Sequence, residues 1–417
     1  MRDVLVAIIV LGGLPFVFTN PQIGVLLWSW LGYMNPHRLG WGFAYNFPFA
    51  AIVGAITIVA LFVSRKQLVF SWPPIIRWLV FLNIWFLITT IFSLQPEDSW
   101  PQWQKVAKIQ IVIFITLWVM GTKERIHSLI WVIALSIGFY GIKGGIFTLT
   151  SGGGDHVLGP TGSFIAGNTE IGLALVMVLP LIWYLYLNTA QTWIRAGLIL
   201  ALLLIPVAIF GTQSRGALLA IAAISFFIWL KSRKKLVPLI IILLMMPLLL
   251  IFMPQQWHDR MSTIVDHQED SSAQGRFQAW KFAYEMAVAR PLTGGGFESF
   301  NAENYERFSP GLVGAGTGKY HDVHSIYFEI LGEHGFVGLT IFLILGFLTW
   351  KTATRIMFLT KTSHPDKWAY DLAAMIQVSF VGYAVGGAFL GLAYFDLGYH
   401  LLVILVLTLR ILEQPSP

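Results

Sequence analysis

The stretch HDVHSIYFEILGEHGFVGL, residues 321–339, sets histidines, carboxylates and glycines directly in front of a long apolar run. Attack by a hydroxyl needs a base for its proton, and histidine is the side chain whose ordinary titration range lies near neutral pH, so His324 suits that task. Arginine carries a fixed fork of donors that matches phosphate oxygens. Arg215 in TQSRGALLA (212–220) and Arg276 in GRFQAW (275–280) are therefore candidates for stabilising a charged leaving group. Arg290, Lys105, Lys108, His321, Trp280 and Glu333 complete a candidate substrate-binding set. Lipid headgroups account equally well for Arg290, Lys105 and Lys108, and an interfacial aromatic belt accounts for Trp280. On an unbroken helix Glu333 would lie about half a turn round from His324, so it orients the histidine only if the helix breaks; capping between Gly332 and Gly335 is the alternative. His321 and His324 have the spacing of a metal pair, but no third ligand has persuasive spacing, so no metal and no cofactor are expected.

These residues have to be positioned in a membrane. The chain has 417 residues, 56% hydrophobic and 12% charged. Apolar stretches long enough to cross a hydrocarbon core as helices recur along it, and alternating barrel strands do not. The class is an all-α integral membrane protein. The formal charge of +6 is modest and reads as topology, not as nucleic-acid affinity. With no cysteine, disulfides and thiolate metal sites are excluded.

Short cytoplasmic loops retain Lys and Arg, and KSRKK at 231–235 anchors the orientation. Counting both ways from it gives about 12 transmembrane helices with both termini cytoplasmic, provided that residues 4–35 form one bent crossing broken at Asn20-Pro21. Residues 1–253 would then hold the first nine crossings, 254–323 one large periplasmic loop containing surface helices, and 324–417 the last three. Within the loop, Ser271 or Ser272 caps a helix that repeats Phe277, Trp280, Tyr284 and Val288 and stops at Pro291 and three glycines; it should lie along the outer membrane surface. The glycines of SGGGDHVLGPTGS (151–163) read as a flexible loop. Arg38, Lys105, Lys108, Lys143, Arg215, Arg276, Lys281 and Arg290 collect on the outer face, whereas Arg2 is expected inside.

In order, TQSRGALLA, GRFQAW with the following ARPLTGGGF, and HSIYFEILGEHGFVG (324–338) resemble the three signature stretches of the O-antigen ligase family of bacterial envelope glycosyltransferases. That family also includes O-antigen polymerases and protein O-oligosaccharyltransferases, and the resemblance is nearest to ligases of exosortase-associated systems. His324, Glu333, Gly335 and Gly338 fit the histidine motif, while Ser325, Tyr327 and Phe328 depart from the Asn and Leu often found there. The resemblance implies en bloc transfer of a glycan from undecaprenyl diphosphate to a hydroxyl of lipid A-core, in the inner membrane with its active site facing the periplasm, without metal and with inversion. Lipid A-core, a growing glycan and a protein Ser or Thr would each present a suitable hydroxyl. A lipid or glycan exporter is the reading from another class; the scarcity of charge at the bilayer midplane opposes it.

Overall fold

The computed structural model describes residues 1–63, 72–231, 236, 247, 250–262, 271–313, 320–361 and 366–413, and every regular element among them is helical. The KSRKK cluster after Lys231, most of the expected crossing at 236–253, and the basic pair Arg65 and Lys66 lie outside the described residues. In chain order the helices are α1 (Arg2–Thr19), α2 (Pro21–Met34), α3 (Phe49–Val63), α4 (Pro74–Ile91), α5 (Pro96–Val119), α6 (Lys123–Thr150), α7 (Asn168–Leu187), α8 (Thr192–Gly211) and α9 (Arg215–Lys231). They continue as α10 (Gln255–Ser262), α11 (Ser271–Ala289), α12 (Ala302–Phe308), α13 (Pro310–Val313), α14 (Ile326–Thr360), α15 (Lys367–Gly386) and α16 (Asp396–Glu413).

Among the described residues, seven helices are long and apolar enough to cross a bilayer: α1, α4, α6, α7, α8, α14 and α15 with the short turn that follows it. Other helices miss that standard for identifiable reasons. Helix α3 has 15 residues and α9 has 17, while α5 carries Glu97, Asp98, Lys105 and Lys108. Helix α16 carries Asp396, Arg410 and Glu413, yet its residues from Asp396 to Thr408 are buried, so neighbouring helices and not lipid surround it.

Where helices meet closely, small residues allow it, as packing in lipid requires. A side chain at Gly145 would strike the Leu204 carbonyl of α8, and Gly141 and Gly144 admit Ile205 and Ala208. Gly382 and Gly386 of α15 likewise admit Val176 and Leu173 of α7.

The expected single crossing over 4–35 is instead a hairpin. Pro21 begins α2 after Asn20 has left helical geometry at φ −137°, and the two helices fold back so that Leu27 packs against Gly13. Arg2 donates to the Leu39 carbonyl at 3.2 Å, and Asp3 accepts from the amides of Gly42 and Ala44. Arg2 and Arg38, expected on opposite faces, therefore share one. The charge pattern could not reveal this, because a bent crossing and a short hairpin have the same apolar profile.

The expected helix over 271–289 forms and ends as predicted, but its inner face differs. Ala279, Phe282, Ala283, Met286 and Ala287 are buried, whereas Phe277, Tyr284 and Val288 are exposed. The compact inner face lets α11 lie close against α14, and Phe277, Tyr284 and Val288 point away from the protein.

Helix α14 is broken at Gly335, where φ is 69° and ψ −172°. The chain after α11 inserts into the break: Gly295 and Gly296 donate to the carbonyls of Gly332 and Glu333 at 2.8 and 2.9 Å, and Phe336 donates to Pro291 at 2.9 Å. The carbonyls that the break deprives of helical partners are thereby satisfied. Gly294, at φ 59°, has no room for a Cβ, which would fall onto the Gly332 carbonyl and within 2.7 Å of Glu333 and Gly335 backbone atoms. Gly294→Ala should therefore cost about 2 kcal/mol or more, through strain added to backbone collision. The check is thermal unfolding in detergent beside Gly197→Ala, at a position with open space around it; equal melting temperatures for the two variants would contradict the account.

Candidate functional site

His324 stands at the mouth of α14, half-buried and in the left-handed region at φ 40°. Helix α11 fixes the segment before it. The Trp280 indole donates to the Val323 carbonyl at 2.9 Å and stacks on Phe328 with centroids 5.1 Å apart. The His321 ring occupies the space where a Cβ on Gly275 would go, and Tyr305 donates to the His321 carbonyl at 2.8 Å. GRFQAW and HDVHS are thus one packed unit, with Arg276 half-buried beside Gly275.

Arg215, also half-buried, is the first residue of α9. The next residue, Gly216, backs onto Phe389, Leu390 and Gly386, while Gly387 packs on Ile326 and Phe389 reaches Trp280. The short stretch after α15 is therefore the common floor on which all three sequence motifs meet. Tyrosine hydroxyls hold that floor: Tyr327 donates to Ala384, Tyr383 to Leu392 and Tyr399 to Ala393, each at 2.9 Å. Glu329 accepts the Ala393 amide at 3.1 Å.

The glycine-rich segment 151–163 is a loop, as expected, and it is bonded to the TQSRG stretch. The Gln213 side-chain amide donates to Gly153 and Gly154 carbonyls, both at 3.2 Å, and the Val157 amide donates to Gly211. Gln213 itself is left-handed at φ 52°. Farther along, Phe164 lies 4.0 Å beneath the Lys105 ammonium, and Thr161 meets Tyr45. The TQSRG motif thus carries the loop as well as Arg215.

The remaining expected residues take different places. Lys105 and Lys108 are exposed on one face of α5. Arg290 donates to the carbonyls of Gly294 and Phe92, both at 2.5 Å, so its guanidinium ties the glycine turn to the end of α4. Glu333 is buried, and its carboxylate partners are the Glu298 amide at 2.8 Å and the Tyr394 hydroxyl.

Glu298 was not among the expected residues, and only the fold brings it here. Its side chain is exposed in part, yet desolvation by the turn pushes its carboxyl above the usual range; Asp322 adds to the shift, Lys105 opposes it and Asp98 adds a little. Tyr394 was likewise missed: it is 60 residues from His334 in sequence, but its hydroxyl meets that ring at 2.8 Å.

Residues 199–343 match the family model described as O-antigen ligase, an interval that contains all three motifs and their packed unit. Residues 1–190 match a family of unknown function, DUF5935. No curated protein matches the chain. Over residues 199–343, then, this helical membrane protein is similar to the O-antigen ligase family.

The Glu298 shift has a sign that stability measurements can read. A carboxyl raised in the folded state contributes stability fully present below its unfolded value and lost as pH rises through the folded one. Glu298→Gln removes that loss. Its melting temperature relative to the parent protein should therefore climb as pH rises above the ordinary glutamate range. A difference that stays flat or falls would reject the electrostatics described.

Proposed function

We propose that the protein moves a glycan en bloc from undecaprenyl diphosphate to a hydroxyl of lipid A-core, at the periplasmic face of the bacterial inner membrane. The single observation that carries this reading is the meeting of the His324, Arg276 and Arg215 stretches on the floor at 386–391. In such an arrangement the acceptor oxygen attacks the anomeric carbon while His324 takes its proton, the bond from that carbon to the diphosphate oxygen breaks, and Arg215 and Arg276 stabilise the charge left on the diphosphate. One displacement inverts the anomeric centre. The diphosphate is already a good leaving group, so neither a covalent sugar intermediate nor a metal is required.

A site facing outward suits this chemistry, since both lipid-borne substrates reach it from the same leaflet. The exposed stripe Phe277, Tyr284 and Val288 on α11 suits a helix lying on that leaflet. The C-terminal end, where Glu413 pairs with Arg355, then lies on the cytoplasmic side. A cysteine at exposed Glu303 should react with a membrane-impermeant reagent from the periplasm and one at exposed Glu124 should not. The reverse pattern would invert the orientation.

The roles separate in single-turnover measurements with nanodisc-embedded protein. His324→Ala should slow turnover by about 10² to 10⁴ and leave donor binding nearly intact, because the base acts on the other substrate. Arg215→Ala or Arg276→Ala should lose roughly 2.7 to 4 kcal/mol of transition-state stabilisation and weaken donor binding, with Lys restoring only part. Turnover should persist in EDTA. Loss of donor binding in His324→Ala together with normal turnover in both arginine variants would overturn these assignments.

A further inference from the structure

Glu333 is 5% exposed and both its oxygens are engaged inside the protein. A carboxylate is costly to bury, so what its oxygens hold is informative. One oxygen accepts the Glu298 amide at 2.8 Å. The other meets the Tyr394 hydroxyl, which lies 2.8 Å from His334 Nε2; His334 Nδ1 in turn lies 2.7 Å from Thr89 Oγ1 on α4. Three separate parts of the fold thus fix one carboxylate, and its remaining oxygen is aimed at a single backbone N–H.

That N–H belongs to a strained residue. Among the described residues, the non-glycine positions with positive φ are Asn35, Gln213, Glu298 and His324. Asn35 is an ordinary left-handed helix cap of α2. The other three are unlike it: His324 is the proposed base, Gln213 stands two residues before Arg215, and Glu298 sits at φ 57°. Left-handed conformations of this kind persist only where the surroundings over-determine them. Around Glu298 the constraints are the Glu333 oxygen, the bonds from Gly295 and Gly296 into the helix break, and Ser99 donating to the Phe297 carbonyl at 2.6 Å.

We propose that Glu333 is a positioning residue: it clamps the 296–299 turn onto the break in α14 and so presents the Glu298 carboxylate to a sugar hydroxyl of the acceptor, beside His324. This rests on the glycan-transfer reading given above. A carboxylate accepts hydrogen bonds from a sugar hydroxyl adjacent to the attacking one, and Asp322, two residues before His324, is an electrostatic neighbour of Glu298.

The test compares acceptor KM, kcat and donor Kd for Glu298→Ala, Glu333→Gln, Glu333→Ala, the Ala–Ala double variant and His324→Ala in nanodiscs. Glu298→Ala should raise acceptor KM about ten- to hundredfold, the worth of a hydrogen bond to a charged group, without changing donor Kd. Glu333→Gln should retain the parent KM, because its amide oxygen still accepts from Glu298 and its NH₂ can face Tyr394. Glu333→Ala should reproduce the Glu298→Ala effect, and the double variant should be no worse than Glu298→Ala alone, since the one residue acts through the other. A parent-like acceptor KM in Glu298→Ala, additive losses in the double variant, or equal defects in Glu333→Gln and Glu333→Ala would each overturn the proposal. If Glu333→Ala does not fold, Glu298→Ala at the surface and the isosteric Glu333→Gln decide alone. Normal turnover by His324→Ala would instead defeat the glycan-transfer reading itself, whereas a dead His324→Ala beside an unaffected Glu298→Ala would defeat only the role given to Glu298 and Glu333.

Discussion

The insertion of the 291–296 chain into the broken α14 is the contact on which the rest of the site depends. A helix interrupted at Gly335 leaves backbone groups without partners, at a cost of several kcal/mol each if they faced lipid. The amides of Gly295, Gly296 and Phe336 and the carbonyls of Gly332, Glu333 and Pro291 satisfy one another across the junction. Each glycine there is required by proximity: a Cβ at Gly294 or Gly335 would collide with backbone that cannot move aside. Through this junction α11 is bound to α14, and with α11 come Trp280 and the unit that holds His321 and Val323.

The same contact relates parts of the molecule that have different environments. Below the break, α14 is an apolar crossing; above it, the short first half carries Glu329 and Glu333 toward the floor at 386–395. Where backbone has left regular helix, several polar side chains bond to it: Tyr327, Tyr383, Tyr399 and Glu329 on the floor, Arg290 on the glycine turn, Gln213 on the 151–163 segment. Irregular backbone at membrane depth is tolerated when protein covers it, and here the cover is also the wall of the candidate site.

Several of these features could be read in the sequence because their causes are local or nearly so. Apolar length determines crossing helices, and Pro291 followed by glycines ends α11 where the pattern said it should. The motif residues His324, Arg215 and Arg276 could be picked out because their chemistry is carried by residue type and their spacing by a recognisable family pattern. That Glu333 could orient His324 only if the helix were broken followed from helical periodicity alone.

Other features belong to tertiary structure. The α1–α2 hairpin, the inner face of α11, and the attachment of 151–163 to Gln213 arise from contacts between segments whose own patterns are ambiguous. Glu298 and Tyr394 carry no sequence signal for the same reason: one is defined by an amide held by Glu333, the other by a hydroxyl set between Glu333 and His334. The sequence by itself determined the membrane class and its apolar helices, since transfer of apolar length into lipid is a property of single stretches. The tertiary structure alone decided which backbone groups the break leaves open and which distant residues satisfy them, because hydrogen bonds between segments far apart in the chain have no periodicity to betray them.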